Sequence, residues 1–366
     1  MYYEWGTKKY FMLSNSEVLR HLEKHLPDFR ASGAPSLLEG GLVNYIWRVN
    51  GDPKPVVVKS APPFVATSPG IQLDPRRIII EARMMTAFTA GGLLEDLVQE
   101  NIRPPRLLNL DEEAHILVME DLGDNPDFGA WLYREQNQAP STSEIGRDIG
   151  TFIGALHTRS CGDQAMANAF DNSSIQHVRL ENQYRRVREY CIRGGLPDAG
   201  ALGQAAIAFG RLTLGPGLCA IMGDLWPRSI LIARKGIRVI DWEFAHYGRP
   251  AQDIGHLAAH LWMHMHRASR EYAISHTQAA LNSFLESYRI ALGSKIGALY
   301  GPSGERECSI HFGSEVLART VGQFQKGYLY DGLAPEDKMV REAVEMAAAH
   351  LRQSAGTDTF SLLSAG

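Results

Sequence analysis

The sequence has little cysteine, and its few cysteines are widely spaced. Four occur among 366 residues, and no two form a CxxC pair. This spacing excludes a disulfide framework and a zinc knuckle, and it favours a reducing compartment. The four residues are Cys161, Cys191, Cys219 and Cys308.

The sequence also lacks an excess of positive charge. Lys and Arg total 37 against 41 Asp and Glu, so the formal net charge is −4. Proteins that bind nucleic acids usually carry a basic surface that neutralises phosphates. Nucleic acid is therefore not expected as an obligatory partner.

Long uncharged hydrophobic runs are absent as well. No run approaches the roughly 18 residues that a membrane-spanning helix needs. The first nine residues are polar and contain no apolar signal core. We therefore expect a cytoplasmic protein with no membrane partner. No internal repeat at a fixed period is visible.

What the chain does contain is typical of a folded protein of enzyme size. Hydrophobic residues make up 45% of the sequence and charged residues 21%, as in ordinary globular proteins. Strand patterns predominate in the first third of the chain and helical patterns after it. We predict an α+β, bilobal fold with a small β-rich lobe at residues 1–121 and a larger, mostly helical lobe at 122–366.

The first lobe is predicted to contain a capped helix, a five-stranded sheet and a second helix. Ser14 and Glu17 have capping-box spacing, and the helix that follows ends before Pro27. Asp74 caps the second helix and Pro75 begins it. Four strands have clear patterns, of which the first two form a hairpin. They run from Leu42 to Val49, Pro55 to Ala61, Pro105 to Leu110 and His115 to Glu120.

Helical periodicity dominates the second lobe. Strand patterns interrupt it only between Leu218 and Trp242. Helices are predicted near Ser143 to His157, Ile175 to Ile192, Ala199 to Leu212, Gln252 to Arg267, Arg270 to Leu292, His311 to Tyr328 and Ala334 to Arg352.

Lys59 is a candidate for a buried cation. Strand alternation directs it to the same face as Val57. Glu81 lies on the apolar stripe of the second predicted helix and is a candidate partner, because a buried ammonium needs one. The alternative is that both side chains are solvated, which is the ordinary state of charged residues.

Paired glycines precede the first strand of the predicted hairpin. Gly40 and Gly41 stand one hairpin ahead of Lys59, where the backbone N–H groups of a flexible loop could approach phosphates. The alternative is a simple hairpin start.

Three carboxylates and a hydroxyl converge around a second predicted hairpin. If this hairpin centres on Lys235, Ser229 faces Asp241, and Glu243 shares that face when the chain stays extended. Asp224 precedes the hairpin in a glycine-containing loop. Such carboxylates repel one another unless a cation or catalysis requires them, and oxygen ligands favour Mg²⁺. The alternative is that the aspartates cap turns.

Histidines and aromatic residues after this hairpin carry weaker signals. His256, His260 and His264 share one helical face, but three successive turns separate their side chains too widely for one metal ion. A polar pocket wall is the favoured interpretation. Several aromatic side chains would suit a flat substrate, although core packing is slightly favoured. They are Trp226, His246, Tyr247 and Trp262.

The glycine-rich loop, the inward lysine and the acidic hairpin together resemble the protein-kinase-like small-molecule kinases, the aminoglycoside phosphotransferase and choline kinase superfamily. Within it, the chain is most similar to the 5-methylthioribose kinase branch and to fungal hydroxytryptamine kinases. The resemblance extends from about Leu38 to Leu257.

The resemblance implies a nucleotide site in the first lobe. Gly40, Gly41 and Asn44 would belong to the nucleotide loop, Lys59 would contact the α- and β-phosphates, and Glu81 would orient Lys59. The hinge that holds adenine through its backbone would consist of Met119, Glu120 and Leu122.

The resemblance also implies roles for the acidic hairpin. Asp224 matches the catalytic base, which accepts the proton of the substrate hydroxyl. Asp241 and Glu243 match the acidic metal-binding motif, to which Ser229 would contribute its hydroxyl. Asp253, in the segment that follows, matches a structural residue.

Three residues depart from the family's usual pattern. Met222 stands where a histidine ring normally steadies the loop before Asp224. Ser229 replaces the usual asparagine, a change that the methylthioribose kinase branch shares. Arg228 replaces a small residue, so it brings a cation next to the predicted metal site and is a candidate substrate contact.

We therefore predict an ATP- and Mg²⁺-dependent phosphotransferase that phosphorylates a hydroxyl of a small metabolite. Two alternatives stay open. One is a pseudokinase in which Met222 and Arg228 have blunted catalysis. The other is a protein that uses the same pocket for different chemistry on a biosynthetic intermediate. The sequence leaves the acceptor and the oligomeric state open, and a homodimer is compatible with it.

Overall fold

The fold is seen in a computed structural model that describes residues 4–5, 8–9, 12–38, 41–98, 101–135 and 139–353. The strands are β1 (Glu4–Trp5), β2 (Lys8–Lys9), β3 (Arg30–Ala31), β4 (Ser36–Leu37), β5 (Tyr45–Val49), β6 (Gly51–Asp52), β7 (Val56–Ser60), β8 (Phe64–Val65), β9 (Ser68–Gln72), β10 (Ile102–Arg103), β11 (Leu107–Asp111), β12 (Ile116–Glu120), β13 (Cys219–Ile221), β14 (Ile230–Ala233), β15 (Gly236–Val239) and β16 (His246–Gly248). The α-helices are α1 (Asn15–His25), α2 (Arg77–Ala87), α3 (Phe128–Leu132), α4 (Thr142–Ser160), α5 (Gln164–Ala169), α6 (Ser173–Asn182), α7 (Val187–Arg193), α8 (Ala199–Leu212), α9 (Ala251–Arg267), α10 (Glu271–Leu292), α11 (Ile296–Tyr300), α12 (Gly304–Thr320) and α13 (Lys338–Leu351).

A five-stranded antiparallel sheet organises the N-terminal region, in the order β11, β12, β7, β5, β4. The predicted hairpin is confirmed, since β5 and β7 pair with Val49 opposite Val56. Side chains alternate between the two faces of a strand. Val56 and Val58 therefore point to one face, and Val57 and Lys59 point to the other.

Helix α1 covers the face of the sheet opposite to Lys59. Val18 and Leu22 pack in one core cluster with Trp47 and Val58. Ser14 caps the helix in the predicted capping box, so the predicted start is confirmed. The sheet and α1 thus bury one apolar layer.

Helix α2 covers the face on which Lys59 lies. Ile78 and Ala82 pack in one core cluster with Val57 and Leu117. Because β7 is covered on both faces, it is apolar throughout apart from Lys59 and the final serine.

The predicted start of α2 is two residues early. The helix begins at Arg77 rather than at Pro75. The Asp74 carboxylate accepts the backbone N–H of Arg76 at 2.9 Å and also its guanidinium, which holds these residues in a turn before the helix.

The C-terminal region is built from helices packed around one large core. Helices α4 and α10 approach closely along a row of glycines. A Cβ at Gly146 would lie 2.2 Å from the carbonyl oxygen of Ala280, and one at Gly150 would lie 2.3 Å from that of Phe284. Only glycine permits this backbone contact. Helix α9 is buried along most of its length and packs against α12.

Two predicted helices differ from those observed. The predicted helix 175–192 is divided into α6, a 3₁₀ turn and α7, because the backbone leaves helical geometry at Gln183 and buries Tyr184 in the core. The predicted helix 311–328 begins earlier and ends earlier, as α12. Its first turns are buried although their sequence is polar, and the chain turns out of the helix after Thr320.

The acidic hairpin has a different register from the one predicted. β14 and β15 pair with Ile230 opposite Val239 and Ala233 opposite Gly236, which leaves a two-residue turn. The expected Ser229–Asp241 pair is therefore wrong by one residue, and the backbone N–H of Ile240 donates to the Ser229 carbonyl at 2.8 Å. Asp241 then follows with a left-handed φ of 63°.

Transmembrane segments are not found in the described part of the chain, where no helix combines the length and the apolar character needed to cross a bilayer.

Candidate active site

The Lys59 ammonium lies within ion-pair distance of three carboxylates. Its Nζ is 2.8 Å from Glu81, 2.9 Å from Asp241 and 3.5 Å from Glu243. The predicted contact with Glu81 is confirmed, and both side chains are buried rather than solvated. Burial lowers the pKa of Lys59, but the three carboxylates outweigh this effect, so the pKa is raised and the lysine is charged.

Arg77 supplies a second buried cation to this group. Its Nε donates to Glu243 at 2.8 Å, and one of its terminal nitrogens donates to the Asn44 side-chain oxygen at 2.8 Å. The Asn44 amide in turn donates to Glu243 at 2.6 Å. Burial raises the pKa of Glu243, but Lys59 and Arg77 outweigh it, so the pKa is lowered. The chain before β5, helix α2 and the segment after β15 therefore meet at Glu243.

The lysine cluster, defined as Lys59, Arg77, Glu81, Asp241 and Glu243, has more carboxylates than cations. Two cations contact three carboxylates, which leaves a net charge of −1 when all are ionised. Burial raises the pKa of Glu81 to about 7, with Lys59 opposing the shift. The Asp241 side chain is 37% exposed, whereas those of Glu81 and Glu243 are almost fully buried. The cluster therefore opens to solvent at Asp241.

The aspartate loop, residues 222–229, connects β13 to β14 and is held by hydrogen bonds to Asp253. The backbone N–H groups of Met222 and Gly223 donate to the two oxygens of Asp253, each at 2.8 Å. Asp253 lies 3.2 Å from His157 Nε2, and His157 Nδ1 lies 2.9 Å from the Tyr288 hydroxyl. These bonds give Asp253 the structural position expected for it.

Asp224 has two basic neighbours. Arg179, on α6, donates to one carboxylate oxygen at 3.1 Å, and His256 Nε2 lies 3.4 Å from the same oxygen. Burial raises the pKa of Asp224 to about 6, and Arg179 opposes the shift. The side chain is 25% exposed. Asp224 is therefore a carboxylate of raised basicity with an open side.

Ser229 closes the end of the aspartate loop. Its hydroxyl donates to the Trp226 carbonyl at 2.8 Å and accepts the Trp226 N–H at 3.2 Å. The side chain is fully buried. The hydroxyl therefore stabilises the turn that returns the chain to β14.

Trp226 and Tyr328 form an aromatic wall after Asp224, with ring centroids 5.7 Å apart. The guanidinium groups of Arg228 and Arg319 lie 5.4 and 5.0 Å from the Trp226 centroid, within cation–π distance. Arg228 also donates to the Gly327 carbonyl at 3.1 Å. The charged guanidinium of Arg228 is therefore packed against the aromatic rings.

The other three predicted substrate contacts lie in packed or hydrogen-bonded positions. His246 is buried and contacts the Phe244 carbonyl and Gln252. The Tyr247 hydroxyl donates to backbone carbonyls. Trp262 is buried against His266, with ring centroids 4.8 Å apart. These contacts agree with the favoured interpretation of core packing.

The three histidines of α9 do not gather around one point. His256 and His260 both lie near Glu315 of α12, at 3.8 and 3.1 Å. His264 instead contacts the Tyr133 hydroxyl at 3.2 Å. Because His256 also neighbours Asp224, the expected polar wall is present beside this carboxylate.

The glycine loop is described only in part. Gly40 lies outside the described residues. Gly41 is described, and a Cβ at this position would come within 2.9 Å of the Asn44 carbonyl oxygen. Asn44 itself is turned towards Glu243. Close backbone packing therefore requires glycine at position 41.

The predicted hinge lies at the end of β12. The Met119 side chain is buried with Val57 on the face of Lys59. The Glu120 carboxylate accepts the Arg106 N–H at 3.0 Å and pairs with Arg103. Leu122 follows the strand and is half-buried. An apolar surface therefore adjoins Lys59 at this edge of the sheet.

Three functional residues were not predicted from the sequence: Arg77, Arg179 and Glu315. Each is a charged residue on a helix, and for Arg179 and Glu315 the sequence offers no signal that separates a buried charge from a solvated one. A weak signal exists for Arg77, because it lies one helical turn before Glu81.

The chain resembles known proteins in sequence and in fold. The model of the phosphotransferase enzyme family (APH) matches residues 35–289. The chain therefore belongs to this family, and it is a phosphotransferase.

Two relatives by sequence are fungal kinases. A 4-hydroxytryptamine kinase of Psilocybe cyanescens is 23% identical over 287 residues, which cover 74% of this chain and 79% of that protein. The 4-hydroxytryptamine kinase of Psilocybe cubensis is 22% identical over 284 residues, 73% of this chain and 78% of that protein. These matches place small-molecule kinases among its relatives.

Two solved structures have a similar fold. The amicoumacin kinase hAmiN, solved with AMP-PNP, Ca²⁺ and Ami, has a TM-score of 0.54 at 13% identity, covering 94% of this chain and 96% of that one. A choline kinase from Cryptosporidium parvum has a TM-score of 0.52 at 10% identity, covering 92% and 94%. The predicted α+β, kinase-like fold is thereby confirmed.

Proposed function

We propose that this protein transfers a phosphoryl group from ATP, with Mg²⁺, to a hydroxyl of a small molecule. One observation carries the proposal. The lysine cluster has a solvent-exposed carboxylate at Asp241, which follows the β14–β15 hairpin, and Asp224 precedes the same hairpin. In this proposal residues 1–121 form the nucleotide-binding lobe and residues 122–366 form the catalytic and acceptor-binding lobe.

The residues around Lys59 fit a nucleotide. Lys59 is charged and held by Glu81, so it is ready to pair with phosphate oxygens. On the same face of the sheet, Ile46, Val57 and Met119 belong to one apolar cluster, against whose edge an adenine ring could pack. The backbone of Met119, Glu120 and Leu122 would bind the edge of that ring. Gly40, Gly41 and Asn44 would lie over the phosphates.

The carboxylates of the lysine cluster fit a hard divalent cation. Asp241 offers an exposed oxygen, and the cluster has one more carboxylate than it has cations. When bound, Mg²⁺ would offset the charge of the phosphates. Glu243 could join as a ligand by releasing Asn44, and Ser229 by releasing Trp226. Asp241 is therefore the proposed principal ligand.

Asp224 is proposed to accept the proton of the acceptor hydroxyl. Its raised pKa makes it a better base than an ordinary carboxylate while leaving it ionised at neutral pH. Arg179 and His256 restrict its orientation. A hydroxyl held near its open side would be aligned for attack on the transferred phosphoryl group.

The contacts of the unusual residues argue against a pseudokinase. The histidine that Met222 replaces is not needed to steady the loop, because Asp253 binds the backbone N–H groups of Met222 and Gly223. Arg228 stacks on Trp226 and Tyr328, so its charge is directed at the aromatic wall.

The aromatic wall supports a flat acceptor. Trp226 and Tyr328 offer ring faces near the proposed base, and stacking on such faces favours planar rings. Two relatives are named as kinases of 4-hydroxytryptamine, a hydroxylated aromatic amine. We therefore propose a hydroxylated aromatic metabolite as acceptor, ahead of a sugar alcohol or an amino alcohol. His246, Tyr247 and Trp262 would support this pocket from behind.

The test is a panel of hydroxylated aromatic amines, sugars and amino alcohols, incubated with ATP and Mg²⁺ and analysed by mass spectrometry. The proposal predicts a product heavier by one phosphoryl group from an aromatic member. This product is absent without ATP and forms far more slowly with Asp224→Asn. A product that forms equally without ATP would indicate different chemistry. Nucleotide binding without transfer to any member would favour the pseudokinase.

A further inference from the structure

Two histidines and a carboxylate meet on the other side of the sheet. His21 and His25 lie four residues apart on α1, with ring centroids 4.4 Å apart. Asp111 ends β11, and its Oδ2 lies 3.4 Å from His25 Nε2 and 3.9 Å from His21 Nδ1. One ligand atom from each residue lies within 4.8 Å of the others. The three residues thus converge from two separate elements.

The imidazoles of this group have free ligand atoms. His21 Nε2 and His25 Nε2 are both buried, and neither makes a hydrogen bond in the described part of the chain. The 3.4 Å contact of His25 Nε2 with Asp111 lacks hydrogen-bond geometry. Buried nitrogen atoms without a partner are costly to keep.

Asp111 is oriented towards the histidines by its own backbone partner. Its Oδ1 accepts the Ala114 N–H at 2.9 Å, which leaves Oδ2 facing His21 and His25. Among the described residues, no lysine or arginine lies within ion-pair distance of this carboxylate. Its charge is therefore available to a cation.

A second group of two histidines and a carboxylate, His256, His260 and Glu315, differs because its carboxylate is already paired with a cation. Near Asp224, Glu315 is paired with Arg319 at 2.7 Å and accepts the Gln183 amide at 2.7 Å. His260 contacts Glu315 through one ring nitrogen and the Tyr328 hydroxyl through the other. A cation there would displace a guanidinium, so this group carries no metal proposal.

We propose that His21, His25 and Asp111 bind one divalent transition-metal ion, with Zn²⁺ as the best match to two imidazoles and a carboxylate. Ligands about 2.1 Å from a tetrahedral Zn²⁺ lie about 3.4 Å apart. His25 Nε2 and His21 Nδ1 lie 3.4 and 3.9 Å from Asp111 Oδ2, and the three ligand atoms lie within 4.8 Å of one another. The group therefore has to contract only slightly to reach this geometry. The side chains are 8 to 22% exposed, so water can complete the coordination.

The bound ion would fasten α1 to the turn between β11 and β12. This site lies on the α1 face of the sheet, whereas Lys59 lies on the α2 face. The ion is therefore a structural element of the N-terminal region, independent of phosphoryl transfer and of the function proposed above.

The test uses Zn²⁺ and Co²⁺ salts with the full chain and needs no activity assay. Wild type should bind one equivalent of Zn²⁺, give the visible absorption of coordinated Co²⁺ and gain thermal stability by mass action. His25→Gln and Asp111→Asn should each weaken binding roughly tenfold or more, as loss of a ligand requires. His177→Gln is the matched control, because His177 is an exposed helical histidine whose Nδ1 contacts the Ser173 carbonyl of its own helix.

Folding of each variant is checked by circular dichroism. Val18 and Leu22 hold α1 to the sheet, so the variants should fold without metal. The proposal is overturned if wild type binds no Zn²⁺, if folded His25→Gln binds as tightly as wild type, or if His260→Gln abolishes binding while His25→Gln does not.

Discussion

At the scale of single residues, Lys59 balances three carboxylates at once. Replacing it with Met leaves Glu81 and Glu243 buried with less compensating charge. We expect Lys59→Met to lose phosphoryl transfer and about 3–5 kcal/mol of stability at pH 8, as when one partner of a buried ion pair is removed. Urea denaturation measures the loss.

The same variant should show an altered dependence of stability on pH. Without Lys59, the pKa of Glu81, already raised, rises further. Above this pKa the buried Glu81 carboxylate is charged and destabilises the fold. As the pH falls through the pKa, Glu81 becomes protonated and the destabilisation is lost. The stability deficit should therefore shrink at pH 5.5. Lys54→Met, at an exposed turn, is the control. A deficit that is equal at both pH values would contradict this account of the cluster.

Asp224→Asn tests the proposed base. Asparagine keeps the shape but cannot accept the proton, so the transfer rate should fall about 10²–10⁴-fold while the affinity for ATP stays within a few fold. Product formation by mass spectrometry and ATP binding by calorimetry separate the two effects. Asp28→Asn, on the exposed surface, should leave both unchanged. Full turnover by Asp224→Asn would remove Asp224 from the mechanism.

The raised pKa of Asp224 predicts how the rate of phosphoryl transfer falls at low pH. The base must be ionised, so kcat should rise with pH and level off above a midpoint near pH 6. Arg179 lowers this pKa, so Arg179→Gln should move the midpoint to higher pH. Arg185→Gln removes an exposed arginine paired with Glu181 and should not. An unmoved midpoint in Arg179→Gln would show that another group sets this midpoint.

The sequence predicted part of the candidate site because some roles leave a local pattern. Lys59 follows three valines in a strand, and Asp224 follows a glycine after an apolar strand. Arg77 and Arg179 left no such pattern, because their burial depends on elements far away in the chain. Long-range packing decides which charges face inward.

At the scale of elements, the contact between α4 and α10 depends on glycines, which have no side chain to keep the two helix backbones apart. Gly150→Ala would bring a Cβ to 2.3 Å from the Phe284 carbonyl oxygen, so α4 and α10 must separate. We expect a clear fall in Tm. Gly200→Ala in α8 is the control, since nothing lies within 4 Å of its Cβ position. There alanine should be neutral or stabilise by about 0.5–1 kcal/mol. Equal Tm values for both variants would contradict the close contact.

Elements with strong local signals were predicted well. The capping box at Ser14 defined α1, and alternating β-branched residues defined β7. The register of β14 and β15 was predicted wrongly because a turn centred on Lys235 and a two-residue turn before Gly236 fit the same residues. The break at Gln183 was missed because neither glycine nor proline marks it. Tertiary packing decided both cases.

At the scale of the whole molecule, nucleotide binding should depend on the metal. If Mg²⁺ joins ATP at Asp241, ATP with Mg²⁺ should raise Tm more than ATP alone, by mass action. Asp241→Asn should remove the extra rise while keeping the response to ATP alone. Thermal-shift titrations with and without Mg²⁺ measure both. No response of wild type to either would favour the pseudokinase.

The hydrogen bonds that hold the aspartate loop lead to the closely packed helices α4 and α10. Asp253 holds the loop, His157 of α4 holds Asp253, and Tyr288 of α10 holds His157. Because α4 and α10 touch through their backbones, they should exchange amide protons slowly and as one unit. The loop that carries Asp224 is thereby linked by hydrogen bonds to these two packed helices. Any change in the separation of Asp224 from Lys59 during turnover is expected to come from motion of the sheet and α2.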